Sequence, residues 1–307
     1  RLSPLYGRED TSSIRQVTLA LEHVMAAQAY SDRARKLRQL PVPGDGDAKQ
    51  ALLQAATLAA SSPNTQPGTV RVTPDSITIE PDFTRRCEVV DPDDSHLFKS
   101  LGCAAENIVA AAPAYGFATG VRITDAGGIE IDLVRSGKAT DRRELGVIAE
   151  RQCTKTPYDG RPLAPAKAAE LVSAGTRDGV RIELIDDANR KETILELVNE
   201  GNRSQLSDPA FRHELISWIR FNDAQALETG DGLAGRVNNQ PQLPAWLAKL
   251  IIRFVLTPEA QVKTDTENLR SAAGIAVFIG EADDLPNWIE AGRAYERFSL
   301  RSTGSGI

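Results

Sequence analysis

Cysteine and histidine are scarce in this sequence, and their scarcity excludes several classes of protein. The cysteines among the 307 residues are Cys87, Cys103 and Cys153, and the histidines are His23, His96 and His213. Three scattered cysteines are too few for a disulfide framework or a cysteine-rich metal centre. No two histidines stand at the helical spacing of a shared metal ion. We therefore expect no structural metal.

Long apolar runs and an excess of basic residues are also lacking. No stretch reaches the roughly 18 apolar residues that indicate a membrane-spanning helix. The 36 basic and 42 acidic residues give a formal net charge of −6 without a basic stripe, which argues against nucleic acid or an anionic membrane surface as a partner. With 41% hydrophobic residues the chain can bury one large core or two small ones.

A polar turn directly after an apolar segment is the first pattern with chemical content. Residues 51–60, ALLQAATLAA, have helical spacing, and residues 61–70, SSPNTQPGTV, follow them. One interpretation is a helix end, at which the prolines stop the helix and the polar side chains serve the backbone. The other is a ligand edge, because side-chain amides offer a donor and an acceptor to a heterocycle such as flavin. The residues of that edge would be Ser61, Ser62, Asn64 and Gln66.

A second pattern is RQCTK at residues 151–155, where Arg151 and Lys155 bracket Cys153. The simplest interpretation is a pair of solvated basic side chains. Two cations and a small side chain within five residues also suit a phosphate dianion. Arginine can donate a bidentate, charge-assisted pair of hydrogen bonds, and lysine adds a point charge.

The remaining apolar patterns divide the chain into an extension and two halves. Residues 1–46 indicate a helix and an irregular arm, residues 47–140 a first half and residues 141–307 a second. In the first half we predict a long helix capped by Asp91 or Asp93, with two strands before it and two after it. The second half is predicted to alternate helices and strands in a similar way, including one helix over 209–221.

The two halves align with each other at two places. Setting Leu53 against Leu195 gives an offset of 142 (195 − 53), and setting Gly102 against Gly292 gives 190 (292 − 102). The second alignment also pairs Glu106 with Glu296 and Ala104 with Ala294. A chance match of alanine-rich helices is the rival explanation. If the repeat is real, the second half holds an insertion of about 48 residues, and residues 221–265 are the candidate.

Three stretches together resemble one known family: LAASSPNTQPGTVRV, SLGCAAENIVAAAPAYG and RQCTKTPYDGRPL. They are similar to the FMN-dependent nitroreductase superfamily, specifically its Acg-type tandem-repeat branch, from about residue 48 onward. The family pattern A-P-S-S-x-N-x-Q-P-W falls on residues 59–68, with Ala60 at the proline and Gly68 at the tryptophan. Its phosphate motif, R-x-[ST]-x-R, falls on Arg151, Cys153 and Lys155.

The resemblance implies an α+β nitroreductase fold in which two tandem repeats form an intrachain pseudo-dimer. Nitroreductases are usually homodimers, in which one subunit holds the flavin phosphate and the other meets the isoalloxazine ring. In a tandem chain the second half would supply Arg151, Cys153 and Lys155, and the first half would supply the polar turn. One FMN site would result, and the flavin would carry the chemistry without a catalytic side chain.

The function implied is hydride transfer from NAD(P)H to FMN and onward to a nitro, quinone or similar acceptor. The alternatives are a flavin-binding or sequestering protein with little turnover, and a fold whose site is empty. A monomer or a weak homodimer is expected. Cytoplasm is the expected compartment, with the periplasm as the alternative if a twin-arginine signal has been removed, since members of this branch include some with such signals.

The candidate insertion has an apolar segment, LPAWLAKLIIRFVL, at residues 243–256. It is too apolar to lie in water and too short to span a membrane, so it must pack on its own chain or on a second one. We expect it to form a lid over the flavin. A dimer interface is the alternative. The glycines at 230, 232 and 235 match G-x-G-x-x-G only formally, because no strand precedes them and no helix follows.

Overall fold

The chain alternates helices and small sheets in a mixed α+β architecture, as predicted. The structure, a computed structural model, describes residues 11–44, 46–137, 142–238 and 242–307, apart from the side chains of residues 11–23 and 253. Its helices span Thr11–Arg38, Ala48–Thr57, Ser95–Ala111, Arg143–Glu150, Pro165–Gly175, Ala188–Ser207, Pro209–Ser217, Asp223–Thr229, Ala245–Val255, Pro258–Ser271 and Leu285–Gly304, numbered α1 to α11 in this order. Its strands span Gly68–Val72, Ser76–Pro81, Phe117–Ile123, Ile129–Arg135, Val180–Ile185, Ile219–Arg220, Leu233–Ala234 and Ile275–Gly280, numbered β1 to β8.

The first half contains an antiparallel four-stranded sheet in the order β1-β2-β4-β3. The inner strand β2 buries four consecutive residues at its start. In β4 buried residues alternate with partly exposed ones, which is the period of two expected for a strand with one face on the core. The buried residues of β4 are Ile129, Ile131 and Leu133. Helix α3 packs on this sheet.

Asp91 determines where α3 begins. Its carboxylate accepts hydrogen bonds from the backbone amides of His96 at 2.9 Å and Leu97 at 3.0 Å. Amides in the first turn of a helix have no partner within the helix, so this cap satisfies them. Of the two aspartates predicted for this role, Asp93 accepts a longer bond of 3.3 Å from the amide of Ser95.

Two glycines allow α3 and α11 to cross in backbone contact. A β-carbon at Gly102 would overlap the carbonyl oxygen of Ile289, and one at Gly292 would overlap that of Lys99. Each overlapped residue lies three positions before the facing glycine, so the contact is reciprocal. An approach this close requires that neither position carries a side chain.

The main core surrounds α3 and joins the two halves. Its fully buried side chains come from α2, β2, α3, α4 and α11, and examples are Leu52, Ile77, Ile108, Ile148 and Ile289. Helix α11, from the end of the chain, therefore belongs to the same core as the sheet of the first half. The turn that follows α2 and the segment that follows α4 are placed by this shared core.

The second half has a smaller sheet, in which β5 and β8 pair antiparallel from Val180 opposite Gly280 to Ile185 opposite Ile275. Helix α10 packs on α6, and α5 packs on α11. The predicted helix over 209–221 is too long, because α7 ends at Ser217. Residues 219–220 instead form β6, which pairs in parallel with β7 inside the insertion.

The predicted insertion, residues 221–265, contains α8, β7, α9 and the first part of α10. Helix α8 packs on α1, and Arg33 donates a 3.1 Å hydrogen bond to the carbonyl of Leu227. The predicted N-terminal helix corresponds to α1, while residues 1–10 of the extension lie outside the described residues. None of the described helices combines the length and apolarity needed to cross a membrane.

Alanine at Gly102 should destabilise the protein, because its β-carbon would meet backbone rather than a flexible side chain. We expect Gly102→Ala to lower the free energy of unfolding by about 3 kcal/mol. The matched control is Gly201→Ala in α6, where nothing lies within 4 Å of the added β-carbon and a gain of about 0.5–1 kcal/mol is expected. Urea denaturation of the three proteins measures this, and equal midpoints would contradict the crossing contact.

Candidate functional site

Arg151 follows α4 directly and reaches the end of α2. Its Nη2 donates a 2.6 Å hydrogen bond to the carbonyl of Leu58, the residue that caps α2. Its Nη1 lies 3.7 Å from the sulfur of Cys153. The residue is only 6% exposed. The structure therefore brings the predicted phosphate motif to the end of α2, just before the polar turn begins.

Glu296 of α11 is the partner of this arginine. Its Oε1 lies 2.9 Å from Nε of Arg151, and its Oε2 accepts a 3.3 Å hydrogen bond from the backbone amide of Ala60. The residue is completely buried. Burial raises the pKa of the Glu296 carboxyl to about 7, and the opposing effects of Arg151 and the Ala60 amide do not cancel that rise.

Hydrogen bonding around this ion pair is incomplete among the described residues. Nε of Arg151, Oε1 of Glu296 and Oδ1 of Asn107 are buried without a hydrogen-bond partner. The Arg151–Glu296 contact is thus an ion pair in which the N–H does not point at the oxygen. Asn107 uses its Nδ2 to donate to the carbonyl of Ala55 at 3.0 Å. Orphaned buried polar atoms are costly, and a proton on the Glu296 carboxyl would supply one of the missing donors.

Glu106 of α3 holds the equivalent position on the other side of the helix crossing. It lies four residues after Gly102, as Glu296 lies four residues after Gly292, and it is also completely buried. Arg293 donates to its Oε2 at 3.1 Å, and Arg297 donates to its Oε1 at 2.6 Å. Unlike Glu296, this carboxylate therefore has an arginine donor on each oxygen.

The polar turn is already bonded to the insertion. The Nδ2 of Asn64 donates to the carbonyl of Gly232 at 2.9 Å, and the Nε2 of Gln66 donates to that of Gly230 at 3.0 Å. Within the turn, the hydroxyl of Ser61 accepts from the amide of Gln66 at 2.9 Å. Both side-chain amides thus donate hydrogen bonds to backbone carbonyls, as the helix-end interpretation of the turn expects. The carbonyls, however, belong to a segment that is distant in the sequence.

Asp231 anchors that segment on the turn. Nη2 of Arg220 donates to it at 2.6 Å, and Arg85 forms a second ion pair with it. Arg85 also donates to the carbonyl of Thr65 at 2.6 Å, so it links loop and turn directly. Although burial acts to raise it, the hydrogen bonds from Arg220, Thr229 and Arg85 hold the pKa of Asp231 below its usual value.

The other predicted site residues are more exposed than Arg151. Cys153 and Lys155 lie exposed on an irregular segment after α4, and Ser62 is exposed in the turn. The predicted phosphate triplet is therefore split between one buried guanidinium and two surface positions. Among the residues that the structure describes, no group of histidine, cysteine, aspartate or glutamate side chains could hold a metal ion.

An apolar cavity of about 150 Å³ adjoins the turn. Ser61 and Gln66 line it from the turn, and its apolar wall comes from α2, α3 and β1. This volume is below the roughly 300–1,000 Å³ of sites that enclose a whole ligand of drug size. The cavity can take the edge of a planar ring, while the loop around Gly230 occupies the side-chain amides of Asn64 and Gln66.

The sequence did not point to Glu296, Asn107 or Asp231 as site residues. The offset of 190 residues paired Glu106 with Glu296, but only as a sign of a repeat. An acidic residue that repeats inside two apolar helices is a signal in itself, because buried carboxylates need partners. Which arginine each carboxylate meets depends on how the helices cross.

Stability should fall with rising pH because of Glu296. The folded carboxyl keeps its proton up to about pH 7, whereas the unfolded chain loses it near the usual value of 4.5. The stabilising contribution is therefore complete below the unfolded pKa and lost as pH rises through the folded pKa, a change of about 3 kcal/mol. Urea denaturation of wild type and Glu296→Gln between the unfolded and folded pKa values measures this loss. If the free energies of unfolding of the two proteins ran parallel with pH, the assignment would be contradicted.

A control with the opposite sign is available at Asp231. Its pKa is lowered, so its contribution is present at higher pH and is lost as pH falls through the folded pKa. Asp231→Asn should therefore lose stability relative to wild type mainly at higher pH, whereas Glu296→Gln should gain relative stability there.

Comparison with known proteins gives no information about the function of this chain. No family model matches the chain, and a search of curated proteins finds no match either. The functional conclusion therefore rests on the contacts around Arg151, Glu296 and the polar turn.

Proposed function

We propose that the protein is an FMN-binding oxidoreductase of nitroreductase type, built as an intrachain pseudo-dimer. The observation that carries this proposal is the hydrogen bond of 2.6 Å from Arg151 to Leu58, which joins the two motifs across 93 residues of sequence. A hydrogen-bonding turn beside an apolar cavity, with a cation bonded at the end of α2, supplies elements that a flavin nucleotide needs.

The helix crossing supports the pseudo-dimer. Gly102 and Gly292 contact each other's helix at equivalent positions, and Glu106 and Glu296 follow them at the same spacing. A two-fold axis between the halves would produce this reciprocity, since an isologous contact uses the same patch on both sides. The four-stranded and two-stranded sheets differ, so the proposed symmetry applies to the central helices.

At the phosphate end the residues fit FMN if Glu296 is protonated. Nη1 of Arg151 has only the weak acceptor Cys153 among its described contacts, and Lys155 is exposed on the following segment. A phosphate dianion beside an ionised Glu296 would be repelled. With a pKa of about 7, Glu296 can take up a proton near neutral pH and leave Nη1 of Arg151 as the donor for the phosphate, while Nη2 keeps its bond to Leu58.

At the ring end the residues fit once the loop around Gly230 leaves. Ser61, Ser62, Asn64 and Gln66 would then hold the edge of the isoalloxazine, and the apolar cavity would receive part of the ring. When bound, FMN supplies the redox chemistry, taking a hydride from NAD(P)H and reducing a nitro, quinone or similar acceptor. The side chains of this chain bind and orient the flavin and exclude water.

A second candidate function is flavin sequestration with little turnover. It is favoured by the same loop, which bonds both amides of the turn and is anchored through Asp231. If the loop closes again after the flavin has entered, nicotinamide would be excluded from the ring. A flavin spectrum of the purified protein, followed by anaerobic addition of NADPH, separates reduction, retention without reduction and an empty site.

The phosphate assignment predicts that Lys155→Glu weakens FMN binding. The side chain is exposed, so the fold should be unaffected, while the reversed charge should raise the Kd about tenfold or more. Lys167→Glu, an exposed lysine on α5, is the matched control and should bind FMN as wild type does. Fluorescence titration measures both, and equal affinities for the two variants would contradict the assignment.

Arg151→Ala should abolish FMN retention, provided that circular dichroism shows a folded protein.

The loop assignment predicts that Asp231→Ala speeds flavin entry. The substitution removes the partner of Arg85 and Arg220 and weakens the attachment of the loop, which keeps its bonds to Asn64 and Gln66, so the association rate of FMN should rise severalfold. Asp223→Ala is the control, since Asp223 pairs with Arg236 in the same insertion without touching the turn. Stopped-flow measurements of flavin fluorescence test this, and identical rates in both variants would show that the loop does not limit access.

A further inference from the structure

Helix α9 has one face packed on its own chain, and among the residues that the structure describes nothing covers the opposite face. On the packed face Ala248 and Ile252 are buried against Ile219 and Phe221. On the uncovered face Trp246, Leu250 and Phe254 recur every four residues and are 68%, 55% and 83% exposed. Side chains at this spacing form a continuous stripe along a helix.

The exposed stripe is large for a protein that acts alone. Two aromatic side chains of about 150–250 Å² each, together with the neighbouring aliphatic side chains, expose on the order of 500 Å² of apolar surface. Exposed apolar patches of roughly 300–600 Å² are the largest on typical monomers and are often binding sites. Covering the same patch on two molecules removes on the order of 1,000 Å², about the minimum of a specific interface.

The sequence of the stripe matches itself when two copies run antiparallel. With Leu250 on the two-fold axis, Trp246 of one copy would face Phe254 of the partner subunit, and the same pair would recur at the other end. Aromatic pairs of this kind add about 0.5–1.5 kcal/mol to the gain from burial. We propose that α9 is a homodimer interface in which a second copy of this chain covers the stripe.

Two other ways of covering the stripe fit the structure less well. Turning α9 over to hide it on its own chain would expose Ala248 and Ile252, which are now buried. An anionic lipid surface would attract Lys249 of α9 but repel a chain with a net charge of −6. A second copy requires neither the loss of the packed face nor a charged surface.

Dimerisation through α9 is independent of the proposed flavin site, whose residues come from a single chain. The first experiment is sedimentation velocity over a concentration series of the full chain. Wild type should show a reversible dimer, and Leu250→Glu should weaken it at least tenfold, because two carboxylates would meet on the axis. Val134→Glu, which adds the same charge at an exposed apolar position on β4, should dimerise as wild type does.

The second experiment tests the antiparallel arrangement. In a Cys153→Ser background, which removes the exposed cysteine, a thiol crosslinker of about 8–10 Å matches the separation of packed helices. Leu250→Cys should crosslink to itself. Trp246→Cys should crosslink to Phe254→Cys when the two proteins are mixed, and should crosslink poorly to itself.

The outcomes separate the alternatives. A concentration-dependent dimer lost in Leu250→Glu, with the expected crosslinks, supports the proposal. A wild-type monomer at all concentrations overturns it, as does a dimer unaffected by Leu250→Glu. Binding of a monomer to vesicles of phosphatidylglycerol and phosphatidylcholine, but not to phosphatidylcholine alone, would assign the stripe to a lipid surface instead.

Discussion

The backbone contact between α3 and α11 is the constraint on which the rest of the structure depends. Gly102 and Gly292 allow two helices from opposite ends of the chain to cross without side chains between them. The crossing places Glu296 beside the end of α2, where it meets Arg151. It also carries Glu106 to the arginines of the second half. A larger residue at either glycine would separate the halves and with them the two motifs.

The same crossing buries two carboxylates, which differ in the donors that surround them. Glu106 has arginine donors on both oxygens, so its charge is well compensated in a medium where an unpaired charge is expensive. Glu296 faces one arginine whose Nε does not point at it, and the amide oxygen of Asn107 also lacks a donor. Spare acceptors are suited to a proton, and once Glu296 is protonated Arg151 is the cation that remains for an anionic group. The proposed phosphate site therefore lies on the Glu296 side.

The proposed flavin site has its binding residues in place, but the insertion controls whether a ligand can reach them. Its loop bonds Asn64 and Gln66 through backbone carbonyls and is anchored by Asp231. Its helix α9 lies elsewhere, on Ile219 and Phe221, and exposes its outer face. The apolar segment that the sequence suggested as a lid is thus separate from the residues that contact the turn. Loop and helix can have different roles, one toward the site and one toward a second copy.

The sequence by itself determined the local structure. The period of two in β4 and the cap of α3 by Asp91 follow from neighbouring residues, because the alternation of a strand and the capping of a helix depend on side chains close in the chain. The mixed α+β class and most helices were predictable for the same reason. The motif around Arg151 and the polar turn were recognised as candidates, while their roles stay predictions.

Only the tertiary structure decided which partners these residues meet. Local sequence patterns do not predict the pairing of Arg151 with Glu296. They do not predict the bonds from Asn64 and Gln66 to the loop either, since all these partners are more than 140 residues away. Residues 219 and 220, predicted as helix, form a strand instead, because β6 pairs with β7, a contact that local propensity does not contain. Helix packing set these distances, and packing depends on shapes that the linear sequence does not show.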